Sequence, residues 1–443
     1  MLATESQVEL RKALLPRFRQ ARANTDSLFD LVRPDSLYER PIPERHRIIF
    51  YIGHLEAFDW NLLRERVLAL PAFHPEFDRL FAFGIDPVGG GLPTDQPQDW
   101  PSLAELRRYV TRLRQSLDRA LESRSPETNL DESTPEASLL LQVAIEHRLM
   151  HAETLAYLLH RLPLDHKLRP NLSPAPASPP VQFVPVEVPA GRATLGLGRE
   201  SGSFGWDNEF EQHSVDVPAF AIDKYKVTNG EYLKFVVAGG YQERSLWTAE
   251  AWAWRTANGV AHPGFWRRRD DSWYLRTMFD EVPLPLDWPV YLSHAEASAY
   301  VRWAGKTLPS EAVWHRAAYG TPEGSERPHP WGGQSPASNH GNFDFQRWDP
   351  APVGAFPDGH SAFGVADLVG NGWEWTSTVF APFPGFEPFP FYRGYSSDFF
   401  DGKHFVMKGG SARTAACMLR RSFRNWFQPH YPHVYAGFRC VSH

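Results

Sequence analysis

Apolar residues recur at helical spacing through the first 168 positions and lose that rhythm afterwards. Between Arg47 and Leu70, the residues Ile48, Ile52, Leu55, Phe58, Leu62 and Leu63 follow a 3.6-residue period, with Pro41, Pro43 and Pro71 as boundaries. Leu106, Val110, Leu113 and Leu117 repeat the pattern within 103–121, Glu136–Leu162 forms a third run, and residues 5–32 supply a fourth. Four helices of this length with short connections predict an up-and-down bundle over residues 1–168. The proline-dense stretch Pro170–Pro189 favours extended backbone and predicts a linker over 169–188. From 189 to 443 the pattern predicts short strands and frequent Gly, Pro, Asn and Asp turns, with helices at Ser293–Ala304 and Ser310–Ala318. The expected architecture is an α+β multidomain chain whose second part has little regular secondary structure.

Composition sharpens this picture. At ~100–200 residues per domain, 443 residues hold two or three domains. A net charge of -6 excludes the basic excess that a nucleic-acid binder uses against phosphates. No apolar run reaches the ~18–20 residues of a membrane span, and the N-terminus is polar and amphipathic rather than a signal peptide. Cys417 and Cys440 make no disulfide framework, which suits a soluble, cytoplasmic protein. Cys417 reads more simply as a small buried hydrophobe than as a reactive thiol. Arg420, Arg421 and the run Arg267–Arg269 read as solvated faces or loop pairings.

The candidate chemistry lies in the bundle. His147 and His151 stand four apart on one predicted helix, so both imidazoles project from one face. The zinc-protease arrangement is excluded, because Arg148 occupies the position of its general-base Glu. Such a pair is more often solvated or packed in a core than bound to metal. His54, set among Phe50, Tyr51, Leu55 and Phe58, shifts that balance, since a buried imidazole needs a partner. Three histidines without thiolates suit a borderline ion such as Fe(II), Zn or Cu, with Asp59 or Glu153 as a fourth ligand or supporting partner.

The second part carries an ordered series of motifs. It includes Trp206-Asp207-Asn208-Glu209, Val227-Thr228-Asn229-Gly230-Glu231-Tyr232, Gly370-Asn371-Gly372-Trp373-Glu374-Trp375, Gly409-Gly410-Ser411 and Ala436-Gly437-Phe438-Arg439. The series resembles the formylglycine-generating-enzyme-like fold, a C-type-lectin-related domain. Formylglycine generation itself uses a close cysteine pair, whereas Cys417 and Cys440 lie 23 positions apart.

A DinB-like bundle ahead of this domain, with one upstream His and a His-x3-His-x-Glu helix, resembles the ergothioneine sulfoxide synthase family. That resemblance implies a non-haem Fe(II) enzyme that uses O2 to join a sulfur donor to the imidazole C2 of hercynine. It makes His54, His147 and His151 the iron ligands, and Tyr392, with Tyr395 beside it, the proton donor of the oxidation. Asn425 and Trp426 match the positions that contact the betaine, where an aromatic face holds the trimethylammonium for roughly 0.5–2 kcal/mol.

Three departures bear on the donor. Met150 replaces the family Gln that hydrogen-bonds the substrate imidazole. The stretch Asp86–Pro93 lacks the arginines that hold the carboxylates of γ-glutamylcysteine, and Phe427 replaces an acidic residue that would face the donor's ammonium. An acidic amino-acid donor needs these charges, so a neutral hydroxyl-rich donor fits better. The selenoneine synthase branch accepts a selenosugar, 1-seleno-glucose, and the segment Pro41–Trp60 is most similar to that branch. Cysteine-using relatives share the same losses, which keeps ergothioneine synthesis from cysteine or γ-glutamylcysteine as the alternative. A non-catalytic metal-containing binding module is a further alternative. A thiol-dependent detoxifying metal enzyme fits the bundle alone but not Asn425 and Trp426.

Overall fold

The computed structural model describes residues 2–83, 91–123, 134–172, 174 and 176–442. The chain divides into two compact units, Met1–Pro170 and Asn171–His443.

The first unit contains helices α1 (Leu2–Phe29), α2 (Ile48–Leu63), α3 (Pro75–Phe83), α4 (Leu103–Ser123) and α5 (Thr134–Arg161). The buried stripe of α4 is formed by Leu106, Tyr109, Leu113, Leu117 and Leu121. It keeps Leu106, Leu113 and Leu117 of the expected face, with Tyr109 buried in place of Val110, which is half-buried. Helix α2 packs against α3, α4 and α5, and α1 packs against α5. At its C-terminal end α2 passes into a π-turn, Arg64–Leu68, that stops at Ala69 in the left-handed region. Helix α3 lies outside the four-helix expectation. It is nine residues long, starts on Pro75 and buries Asp78 and Phe81, too little periodicity to register in sequence.

The second unit contains α6 (Asn229–Val237), α7 (Ala249–Ala257), α8 (His294–Trp303) and α9 (Glu311–Tyr319). Ser293 and Ser310 cap α8 and α9, and Thr228 and Thr248 cap α6 and α7. Its strands are β1 (Pro185–Val188), β2 (Gly191–Leu195), β3 (His213–Val217), β4 (Phe220–Asp223), β5 (Trp266–Arg269), β6 (Ser272–Arg276), β7 (Glu281–Pro283), β8 (Trp373–Val379), β9 (Phe405–Lys408), β10 (Asn425–Phe427), β11 (Ala436–Gly437) and β12 (Val441–Ser442). They form small sheets in the orders β1-β4-β12, β10-β9-β8-β11, β2-β3 and β5-β6-β7.

The stretch expected as linker is partly structured. Pro185–Val188 forms β1 at a sheet edge, where a proline costs no ladder bond, and Ser178 donates to the Val353 carbonyl at 3.0 Å. Five tryptophans (Trp206, Trp266, Trp314, Trp373 and Trp375) are fully buried. One of them, Trp314, lies against a buried ion cluster. Arg439 grips Glu374 through two bonds of 2.7 Å, Lys226 reaches Glu374 at 2.5 Å, and the Trp314 indole donates to it at 2.9 Å. Arg420 pairs with Glu209 and Arg421 with Glu326, so both are loop pairings. Cys440 is buried and Cys417 half-buried, and neither is in a disulfide. Among the described residues, no helix is long and apolar enough to cross a membrane.

Candidate metal centre

Helix α2 presents His54, and α5 presents His147 and His151 one turn apart. One ligand atom from each lies within 4.8 Å of the other two, the only such metal-competent group of His, Cys, Asp or Glu among the described residues. The Nε2 atoms of His54 and His151 are 3.3 Å apart. Two nitrogens on one ion with bonds of about 2.1 Å and near-tetrahedral angles stand at about that separation.

The surroundings orient the rings and hold them neutral. His54 Nδ1 donates to the Phe81 carbonyl at 2.7 Å, which leaves the Nε2 lone pair aimed inward. His54 stacks on Phe50 at 4.7 Å, and His147 on Phe58 at 3.5 Å. Burial lowers His54 to about 4, against the Phe81 carbonyl, which acts the other way. Burial, and then the neighbouring imidazoles, push His147 and His151 well below their ordinary value. Near neutral pH all three rings offer lone pairs, and His151 Nδ1 is buried without a hydrogen-bond partner. A neutral three-nitrogen set of this kind fits a borderline divalent ion.

Asp59 does not join the ligand group; Arg148 claims it. Arg148, fully buried, bonds Asp59 at 2.5 Å, Glu56 at 2.8 Å and the Leu55 carbonyl at 2.9 Å. Arg114 from α4 reaches Glu56 at 2.6 Å and grips Asp26 of α1 through two bonds of 2.7 Å. Burial works to raise both carboxyls, and the arginines hold Glu56 low. Glu153 is likewise outside the group, though buried.

Two contributors are not singled out by sequence. Phe81 acts through a backbone carbonyl. Gly53 sits directly under the Phe81 ring, where a β-carbon would overlap it, so glycine is what lets α3 approach His54. A glycine inside a helical pattern is the one hint that sequence offers of such an approach.

Of the residues expected at the substrate, Tyr392, Tyr395, Asn425, Trp426 and Phe427 lie in the second unit and Met150 in the first. Tyr392 and Tyr395 lie on the segment between β8 and β9, with rings 5.5 Å apart. Trp426 of β10 stacks on Phe380 at 4.2 Å and receives the edge of Tyr395 at 5.5 Å. Asn425 accepts from the Trp426 amide at 2.9 Å. Phe427 stacks on Tyr431 at 5.2 Å and so presents aromatic surface. Met150 is half-buried on α5, immediately before His151. In the stretch Asp86–Pro93, residues 86–90 lie outside the described residues.

A helical bundle with a three-histidine centre, followed by a tryptophan-rich domain of short strands, defines a two-part class. Residues 17–155 match the DinB superfamily, and residues 173–443 match the sulfatase-modifying factor enzyme 1-like domain. The chain is 37% identical over 347 residues to the hercynine oxygenase of Mycolicibacterium thermoresistibile, covering 77% of this chain and 75% of that protein. It is 41% identical over 250 residues to the hercynine oxygenase of Mycobacterium tuberculosis, covering 56% of this chain and 58% of that protein. It is 29% identical over 489 residues to ergothioneine biosynthesis protein 1 of Neurospora crassa, covering 92% of this chain and 55% of that protein. The chain belongs to the ergothioneine sulfoxide synthase-like family of enzymes.

Proposed function

We propose that this chain is an Fe(II)- and O2-dependent enzyme that joins a chalcogen donor to the imidazole C2 of hercynine, with the selenosugar 1-seleno-glucose as donor. The observation that carries the reading is the neutral three-histidine group His54, His147 and His151 in a chain of this family. These side chains would hold the ion, which when bound supplies O2 activation and a common point for both reactants. Gathering three reactants in one orientation removes the entropic barrier of a termolecular encounter.

The remaining roles fall to the chain's own residues. Trp426 and Tyr395 offer aromatic surface to the trimethylammonium of hercynine, and Asn425 lies beside them in β10. Burial, and then the charge of Asp207, push Tyr392 up to about 12, so its phenol keeps a proton to give as O2 is reduced. Met150 replaces a polar contact to the imidazole with an apolar one. Two cysteines outside any disulfide suit the reducing cytoplasm, where a selenol donor persists.

The donor reading rests on Phe427 and on the absence of Lys and Arg from 86–93. A sugar needs neither charge, and its C–H face packs on an aromatic ring such as Phe427. The relatives named hercynine oxygenase and ergothioneine biosynthesis protein favour a second reading, sulfur transfer from cysteine or γ-glutamylcysteine. A competition decides between them. Fe(II)-loaded protein, hercynine and O2 are offered 1-seleno-glucose, cysteine and γ-glutamylcysteine together, with products read by mass. A hercynine–selenosugar adduct is expected. A sulfur adduct alone overturns the donor reading, and recovery of starting compounds only leaves a metal-containing binding module.

A further inference from the structure

The Tyr392–Tyr395 turn is held from below by a short buried segment whose chemistry goes beyond packing. Trp206, Asp207, Asn208 and Glu209 are all fully buried. Glu209 anchors the segment, accepting from the Trp206 amide at 2.9 Å, from Arg420 at 2.8 Å and from Ser422 at 2.7 Å. With that end fixed, Trp206 stacks on Tyr395 at 4.0 Å and lies 6.5 Å from the Tyr392 ring. Beside this stack, the hydroxyl of Ser396, also fully buried, donates to Asp207 Oδ1 at 2.5 Å.

Desolvating a carboxylate costs several kcal/mol, and among the described residues no cation is paired with Asp207. Its support is the Ser396 hydroxyl together with weaker contacts from Asn208 and the Phe389 backbone. Burial pushes the Asp207 carboxyl upward, and the Ser396 hydroxyl opposes that push. Asp207 Oδ2 and both polar atoms of the Asn208 side chain are buried without a hydrogen bond of good geometry. Buried polar groups left in that state point to a role other than stability.

We propose that Asp207 is a positioning residue: through Ser396 it fixes the Tyr392–Tyr395 turn against Trp206 and so sets where the Tyr392 hydroxyl points. The significance of that hydroxyl as a proton donor rests on the function proposed above, whereas the anchoring does not. The Asp207 charge also helps keep Tyr392 protonated, which suits a donor.

The test uses the full chain labelled with 3-fluorotyrosine, the Tyr392 resonance being assigned by its loss in Tyr392→Phe. A single resonance is expected for the parent protein. Asp207→Asn keeps an acceptor for Ser396 and should keep that resonance narrow while lowering the pH at which Tyr392 titrates. Asp207→Ala and Ser396→Ala should broaden or split it. With Fe(II), hercynine, O2 and the donor that gives product in the competition above, both alanine variants should lose ~10–100-fold in kcat while KM for hercynine stays within about 2-fold. An unchanged Tyr392 resonance in both folded alanine variants overturns the proposal; should Asp207→Ala not fold, Ser396→Ala alone decides. A disturbed resonance with undiminished turnover upholds the anchoring and instead removes Tyr392 from the reaction.

Discussion

The two units bury charge to different ends. In the bundle, Arg148 joins Glu56 and Asp59 of α2 from α5, on the same two helices that present the three histidines. In the second unit, Glu374, Arg439 and Lys226 lie against Trp314 and tie β8 to segments distant in the chain. The bundle already has periodic apolar faces to define its helices, so its ion network sets the register between two of them. The second unit has short strands and long irregular stretches, so its ion cluster substitutes for the regular ladders it lacks. One network serves a site; the other serves a fold.

That contrast breaks most visibly at the ligands. His147→Ala or His151→Ala should abolish stoichiometric metal binding and all turnover while the second unit unfolds as before, as read by metal analysis and denaturant titration. Full metal occupancy in either variant would remove the assignment. Glu374→Ala should do the reverse. Two buried cations lose their shared partner, at a cost of ~3–5 kcal/mol to the second unit, with metal occupancy retained. A calorimetric scan showing equal losses in both units would erase the distinction.

Acid sharpens the comparison. In the metal-free protein the folded His54 sits at about 4 against 6.5 for the free side chain. The unfolded chain therefore takes up the His54 proton first, and that group's own contribution to stability should fall by roughly 3 kcal/mol as pH drops from 6.5 toward 4. His147 and His151 act in the same direction, and Asp59, raised by burial to about 6, in the opposite one. Burial opposes the charge on Glu374, yet Arg439 and Lys226 hold it below its usual range. Its contribution is complete above about pH 4.5 and lost only below it. Burial holds His294 of the second unit at about 3, so it loses its contribution over the same window as His54. Unit-specific signals in an acid titration should therefore show both units loosening below about pH 6.5, and a second unit that holds unchanged down to about pH 4.5 would contradict this. The smallest expected effect is that of Gly53→Ala, which should cost ~1–3 kcal/mol through the Phe81 clash and weaken metal affinity along with it. A more stable variant would show that the close approach does no work at the site.

Legibility in sequence follows the same divide. The periods around Leu55 and Leu113, and the spacing of His147 and His151, sufficed for α2, α4, α5 and a shared ligand face. The motifs around Glu374 and Arg439 marked the second fold because its core depends on particular ion partners rather than on a period. Three things stayed hidden for physical reasons. The Phe81 carbonyl is a backbone group that every residue carries. The partners of Arg148 come from helices whose pairing no local pattern encodes. Strand β1 lies within proline-rich sequence because its place at a sheet edge relieves the usual penalty.

The Arg148 bridge has a consequence for how such a centre is filled. Because a guanidinium already locks the two ligand-bearing helices to each other, an arriving ion need not organise them. Its affinity is then not discounted by a folding cost, in contrast to small domains that are two-state unfolded-apo and folded-holo systems. The bundle should behave as a refillable socket, emptied by a chelator and recharged by simple addition of metal, with no denaturation cycle in between.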